Sequence, residues 1–257
     1  HTQAYFSKLG PSESALAQFL YPFAWRDVVF WFDDFTQGDA ANLADHYTLG
    51  TDAGSTAFAT VAGLSGRIQG TTEAAAADFV AILTSADWEG DRSAGQEMRW
   101  QINNNDNVCW EQGFTDPLTD DTLGALNDID TPTITNGATD VAVIGLQSDA
   151  TLTTAAFVTD GTTSCYNTTK TDLGTYVGTN SVMHATRVQI KGDAAAGFVF
   201  DTNFVLQQQA QHGALTACSI EGWTDLTARL IVGVVGACAA KVVQVDYWAL
   251  WQDRRAI

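Results

Sequence analysis

Apolar runs in this chain, such as Leu230 to Val235, are about the length of one β-strand, and that limit decides most of what the chain can become. A bilayer-crossing helix needs about 18 consecutive apolar residues, so none is encoded. Long amphipathic helices are disfavoured too, because the acids divide into 24 Asp and 6 Glu and are joined by abundant Thr and Gly. Asp, Thr and Gly are all weak helix formers. What remains are strand-length segments between turn signals: Val28 to Phe32, Met98 to Ile102, Val108 to Phe114, Val141 to Leu146, Ala155 to Thr159, Thr186 to Lys191, Gly197 to Phe200, Leu226 to Val235 and Lys241 to Trp251. Short strands joined by polar loops describe an all-β antiparallel sandwich. A chain of 257 residues with 46% hydrophobic content can fill one large sandwich or barrel, or two small domains.

Turn chemistry supports pairing between neighbours. Lys191-Gly192-Asp193 separates Arg187-Val188-Gln189-Ile190 from Gly197-Phe198-Val199-Phe200, and Asp201-Thr202-Asn203 then turns the chain into Phe204-Val205-Leu206. Arg187 and Gln189 alternate with Val188 and Ile190, which predicts one wet face and one dry. Gly236 to Ala240 reads as the connection of a last hairpin, between two long apolar strands lying centrally in a sheet. Glu73 to Leu83 is alanine-rich and helical by propensity, yet in an all-β chain Asp78 to Thr84 reads as a buried strand. The segment from Gln207 to Thr224 reads as a long loop, and the Thr-rich stretch from Thr151 to Thr179 as loops with short strands.

The front of the chain differs from the rest. Pro11 to Leu20 offers a serine N-cap, an early acid and good helix formers, and Pro22 stops it, which predicts a short helix. Residues 1 to 32 hold nine aromatic side chains, while Lys8, Glu13, Arg26 and Asp27 cancel to zero. The chain thus divides into an N-terminal arm, residues 1–31, and a sandwich domain, residues 32–257. Two readings of the arm stand side by side. It anchors the protein or makes oligomer contacts through Phe19, Tyr21, Phe23 and Trp25, aromatic side chains being favoured at interfaces. Alternatively, Val28 to Phe32 is a core strand with the rest packed beneath it. The chain starts at His1 rather than Met, with no basic segment followed by an apolar one, so its start is read as trimmed or renumbered.

The whole formal charge of −18, from 30 acids against 12 bases, lies beyond that arm. Carboxylates without a basic partner must stay in water, because burying an unpaired charge is prohibitive. Such a surface repels phosphate backbones and anionic headgroups, so neither nucleic acid nor a membrane is an expected partner.

The chemistry-bearing residues form no recognisable constellation. The six glutamates, Glu13, Glu73, Glu89, Glu97, Glu111 and Glu221, are scattered. Glycoside hydrolysis needs two carboxylates across the sugar, and the nearest approach is Trp88-Glu89-Gly90-Asp91, where Glu89 and Asp91 would share a strand face. No Gly-x-Ser-x-Gly, His-Glu-x-x-His or Gly-x-x-x-x-Gly-Lys occurs. His1, His46, His184 and His212 read as surface or loop residues. No enzymatic activity and no cofactor are expected. Asn103 to Asn107 and the five aspartates between Asp116 and Asp130 offer the oxygen ligands calcium takes, but neither has the spacing of a preorganised loop. Cys109, Cys165, Cys218 and Cys238 lack CxxC spacing and read as reduced small hydrophobes, although a bridge such as Cys218 to Cys238 fits an oxidising compartment. Asn167-Thr168-Thr169 is a glycosylation sequon, relevant only to a chain secreted by a eukaryote. Trp88, Trp110 or Trp223, if exposed, could stack on a sugar.

At Gly113-Phe114-Thr115-Asp116, at Ala138-Thr139-Asp140, at Thr186-Arg187-Val188-Gln189-Ile190, and at Val245-Asp246-Tyr247 with Asp253-Arg254, the sequence resembles a family of tailed-bacteriophage virion proteins. These are jelly-roll sandwiches of the concanavalin A-like lectin/glucanase type, found as capsid decoration (cement) or head-fibre proteins. The likeness runs from Phe32-Asp33-Asp34-Phe35 to Arg254. It implies a non-enzymatic structural role on the capsid exterior of the virion, with the protein made in the host cytoplasm. The implied partners are the major capsid protein and further copies of the chain, commonly as trimers. A glycan-binding head-fibre or adhesion module is the alternative it leaves open. It carries over no catalytic residues.

Overall fold

The computed structural model describes residues 28–35, 40–61, 66–85, 87–118, 124–126, 129, 132, 138–148, 155–161, 169–174, 180–191, 194–213, 223–235 and 239–253. The predicted helix at Pro11 to Leu20, the arm residues Phe19, Tyr21, Phe23 and Trp25, the sequon, and Cys165, Cys218 and Cys238 lie outside the described residues. In chain order the strands are β1 (Val28–Asp33), β2 (Thr48–Thr51), β3 (Thr56–Thr60), β4 (Ile68–Thr71), β5 (Phe79–Leu83), β6 (Gly95–Ile102), β7 (Val108–Thr115) and β8 (Asp140–Ser148). They continue with β9 (Ala156–Gly161), β10 (Thr169–Asp172), β11 (His184–Lys191), β12 (Ala194–Phe200), β13 (Leu206–Gly213), β14 (Thr227–Val234) and β15 (Val242–Asp253). A short helix, α1 (Ala40–His46), follows β1.

The strands form two antiparallel sheets packed as a jelly-roll sandwich. One is eight-stranded, in the order β13-β12-β11-β6-β15-β4-β3, with β1 also on β15; the other is seven-stranded, β10-β9-β8-β7-β14-β5-β2. The expected hairpins β11-β12 and β12-β13 both form. Asp201 makes the second turn, its Oδ1 accepting the backbone N–H groups of Asn203 at 2.8 Å and Val205 at 2.9 Å. The expected last hairpin does not form. β14 lies centrally in the seven-stranded sheet and β15 centrally in the other, so the connection crosses between layers. Two all-apolar strands satisfy their side chains equally well in one sheet or in two facing ones, which is why pattern alone misassigns them. The expected loop from Gln207 is likewise corrected, since Leu206–Gly213 pairs with β12 along its length.

Alternation puts the large side chains between the sheets. Met98, Trp100 and Ile102 of β6 meet Val108, Trp110 and Phe114 of β7 in one continuous core. Trp100 and Trp110 pack edge to face at 4.8 Å, and Trp100 Nε1 donates to Thr186 Oγ1 at 2.9 Å. One buried carboxamide oxygen takes a bond from each direction: Gln112 Nε2 donates to Gln96 Oε1 across the layers at 2.9 Å, and Trp248 Nε1, on the neighbouring strand of the same sheet, donates to that oxygen at 3.2 Å. At Gly113 the sheet admits no side chain, because a Cβ there would sit 2.2 Å from the Ala142 carbonyl oxygen.

Two histidines read as surface residues are buried instead. His212 sits in β13 with its ring nitrogens 2.6 Å from Thr159 Oγ1 and 2.9 Å from Thr171 Oγ1, so it ties the edges of both sheets together. His184 lies against Trp100 at 4.6 Å and donates from Nδ1 to the Val182 carbonyl at 3.3 Å. Burial pushes its pKa from 6.5 down to about 4. The unfolded chain therefore takes up a proton near pH 6.5 that the folded one refuses until about pH 4, and stability falls as pH drops through that window. The loss amounts to about 3 kcal/mol from this residue alone. Urea unfolding of the wild type and His184→Leu between neutral pH and pH 4 checks it, and parallel stability curves would show that His184 contributes nothing to the acid limb.

Candidate functional site

A cleft of about 360 Å³ sits where β1 meets the end of β15. Trp31 lies opposite Leu250, and Phe30 opposite Trp251, in the β1-β15 pair. The chain then passes through α1, which delivers Asp45, His46 and Tyr47 to the same place. Tyr47 stacks on Trp248 at 5.4 Å with the rings 11° apart. Its hydroxyl accepts from Trp31 Nε1 at 3.1 Å and donates to Asp33 Oδ2 at 3.1 Å. Asp33 Oδ1 in turn accepts the Phe35 N–H at 2.7 Å. Burial first, and the Asp33 charge second, push the Tyr47 pKa up, so it stays a neutral phenol able to make both bonds.

That relay fixes the Trp31 indole while leaving the side chain 40% exposed. An aromatic surface locked before a ligand arrives loses little conformational entropy on binding. The cleft walls add Val29, Phe30, Trp88 and Leu250, and polar groups of Asp45, His46, Ser85, Asp87 and Gln252 converge on it. Ser85 Oγ donates to Asp87 Oδ2. Gln252 accepts the Glu89 N–H at 3.0 Å and donates to the Asp87 carbonyl at 3.1 Å, which pins the loop that carries Asp87. An apolar aromatic floor with a few converging carboxylates and one imidazole is the composition of a small-molecule site. It suits a ligand with one apolar face and hydroxyls around its edge.

The tryptophans picked out for sugar stacking are core residues: Trp88, Trp110 and Trp223 are 7%, 0% and 3% exposed. Each fills space between the layers, and among the described tryptophans Trp31 is the one left in water. Sequence reading counted Trp31 in an aromatic cluster without singling it out. No local pattern signals it, because consecutive residues such as Asp45, His46 and Tyr47 point in different directions at a helix end and meet Trp31 only through the tertiary fold.

The other candidates also resolve into structure. Glu89 and Asp91 do not share a strand face; Glu89 precedes a single 3₁₀ turn, Gly90–Arg92, and pairs with Arg92 at 2.6 Å. In the asparagine run, Asn103 Oδ1 accepts the Val242 N–H at 2.9 Å and Asn105 N–H donates to Asn180 Oδ1 at 2.9 Å. Asp116 accepts from Thr139 N–H at 2.9 Å and Thr139 Oγ1 at 2.7 Å, opening β8. Residues of the aspartate-rich segment, Ala125, Leu126 and Ile129, cover the outer face of the seven-stranded sheet together with Val141, Val143, Ala156 and Val158. Their anchor is buried Glu111, which accepts from Ala125 N–H at 2.8 Å and Leu126 N–H at 3.0 Å. Burial raises the Glu111 pKa against the opposing pull of Arg229. Among the described residues no group of three or more His, Cys, Asp or Glu side chains could hold a metal ion.

The outward face of β11, predicted wet, is dry. Arg187 is 1% exposed and Glu97, opposite it on β6, is 0% exposed, with 3.9 Å between Nη1 and Oε2. Tyr247 Oη donates to Glu97 Oε1 at 2.6 Å. The Arg187 guanidinium lies 4.2 Å from the Phe198 ring and 5.0 Å from Phe200. A guanidinium paired and stacked on aromatic rings tolerates removal from water, and alternation cannot show that. Beyond it, Asp246, at the bulge in β15, accepts from Arg99 and, at 3.4 Å, from Arg67.

No family model and no curated protein matches this chain. Solved structures of similar fold do. The CBM2 module of the evolved Dit of Lactobacillus casei BL23 phage J-1 is 12% identical with a TM-score of 0.59, covering 90% of this chain and 98% of that one. Peanut lectin is 10% identical with a TM-score of 0.52, covering 88% and 97%. The catalytic domain of an endo-1,3-beta-glucanase (laminarinase) from Thermotoga petrophila RKU-1 is 12% identical with a TM-score of 0.53, covering 88% and 97%. The fold is therefore the jelly roll shared by lectins and glucanases, as the phage-protein resemblance implied.

Proposed function

We propose that the chain is a non-catalytic, saccharide-binding module of a tailed-phage particle. The observation that carries this reading is the Trp31 platform, an indole fixed by Tyr47 and Asp33 that lines a cleft together with Asp45, His46 and Asp87. Indole faces take the apolar side of a sugar ring, and carboxylates accept from its hydroxyls. The acidic rim and the net charge of −18 select neutral sugars over sulfated or uronic ones. Neighbours named as a lectin and as a CBM2 module of a phage protein support the same choice. Calorimetric titration with neutral and anionic oligosaccharides tests it. Saturable binding of a neutral sugar without release of reducing ends is expected, and tighter binding of the anionic set would refute it.

The composition of the first 31 residues favours a second reading, compatible with the first. It is a decoration (cement) protein that binds the major capsid protein on the outer surface of the head through the uncharged aromatic arm, with Phe19, Tyr21, Phe23 and Trp25 as contacts. Binding only assembled shell would oppose disassembly by mass action. Deleting residues 1–25 is expected to leave a folded sandwich that no longer joins particles, and normal occupancy of the truncated protein on heads would end the anchoring role.

A further inference from the structure

An open sheet edge presents a row of backbone donors and acceptors that another strand can pair with, and natural edges are commonly kept short or charged. Among the described residues, β2 and β10 end the seven-stranded sheet with four residues each, β10 carrying Lys170 and Asp172. In the other sheet β3 has five residues, and β1, beside β15, closes on Asp33. β13 breaks this pattern. It runs eight residues, LQQQAQHG, with no charge and no proline, and Gln208, Gln209 and Gln211 are exposed. It also lies within the longest stretch of the chain lacking a formally charged residue, Thr202 to Ile220. On a protein of net charge −18, this is where two copies approach with least repulsion.

We propose that β13 pairs antiparallel with β13 of a second copy across a two-fold axis, extending the eight-stranded sheet through both molecules. The same sheet already shows the chemistry. On its outward face Gln101 Nε2 donates to Gln244 Oε1 at 2.9 Å and Gln244 Nε2 donates to Gln69 Oε1 at 2.9 Å, a chain of carboxamides across β6, β15 and β4. Gln209 and Gln211 stand on that outward face of β13, opposite Phe198 and Ala196 of β12, while Ala210 and His212 point inward and are buried. A carboxamide both donates and accepts, so this row is complementary to itself, whereas a row of one charge would not be. With Ala210 on the axis, Gln209 of each copy faces Gln211 of the other. Val205 and Leu206, 55% and 41% exposed, add apolar surface at each end of the seam.

A strand paired with its own copy is satisfied once, so the contact is isologous and closes as a dimer. The three-fold assembly implied by the phage-protein resemblance would need a different surface. Sedimentation equilibrium of the full chain, over a concentration series at low and high salt, tests the proposal. The expected mass is twice 27.5 kDa, with the dimer fraction rising as salt screens the repulsion. The isosteric exposed pair Gln209→Glu and Gln211→Glu places like charges face to face and weakens dimerisation by about a hundredfold, with the unfolding midpoint of the monomer unchanged. Thr56→Glu, on the opposite edge of the sheet, leaves the dimer intact. A wild type that stays at 27.5 kDa throughout, a three-chain mass, a dimer indifferent to the glutamate pair, or one lost with Thr56→Glu would each overturn it.

Discussion

Trp31→Ala is expected to weaken saccharide binding by about 2 kcal/mol or more, roughly 30-fold, because a single buried-on-binding aromatic anchor commonly carries most of the energy of a small contact. The substitution removes the platform and leaves every rim group in place. Its effect on folding is smaller, since Trp31 is 40% exposed and its strand keeps the backbone pairing of Val28 to Asp33 with Asp253 to Trp248. Tyr47→Phe separates position from contact. It deletes the hydroxyl that accepts from the indole and donates to Asp33 without touching the exposed ring face, so it should weaken binding less than Trp31→Ala does. Calorimetry with the neutral sugar, alongside circular dichroism to confirm folding, decides the matter. Equal affinity of Trp31→Ala and wild type would move the binding surface elsewhere.

Arg187→Met should cost about 3–5 kcal/mol of stability, the usual result of removing one member of a fully buried ion pair. Glu97 would remain 0% exposed without the Arg187 guanidinium, its Oε1 still accepting from the Tyr247 hydroxyl. The double variant Arg187→Met with Glu97→Gln removes both charges and should recover a large part of that loss, so the double-mutant cycle reports coupling between the two. Urea unfolding at neutral pH of the wild type, Arg187→Met, Glu97→Gln and the double variant measures the cycle. If both single variants unfold within about 1 kcal/mol of the wild type, the size of an exposed pair, then water reaches this face and the pair is not buried in solution.

Much of the fold was legible because a strand writes its own pattern. Each of the nine segments read from apolar runs and turn residues overlaps a strand, and Asp78 to Thr84 contains β5 despite its alanine-rich approach. The strands that escaped, β2, β3, β4 and β10, are four or five residues long and rich in Thr and Gly. They carry too little apolar periodicity to announce themselves and exist because a longer neighbour supplies their hydrogen bonds. β13 escaped for a related reason, its glutamines giving no alternation to read. The candidate cleft was barely legible. Trp31 lies nine positions before the start of α1 at Ala40, and only the pairing of β1 with β15 turns its indole toward Tyr47 and Asp87.

By itself the sequence determined that this chain builds antiparallel sheets with an acidic exterior, because strand length, side-chain alternation and charge are properties of neighbouring residues and of simple sums. Tertiary structure alone decided that β14 and β15 belong to opposite layers, that Arg187 is dry, that Trp31 rather than Trp88, Trp110 or Trp223 meets solvent, and that β13 ends its sheet among the described residues. Those outcomes depend on which distant strand lies alongside which. Pairing energy comes from contacts between residues far apart in the chain, and no local pattern records it.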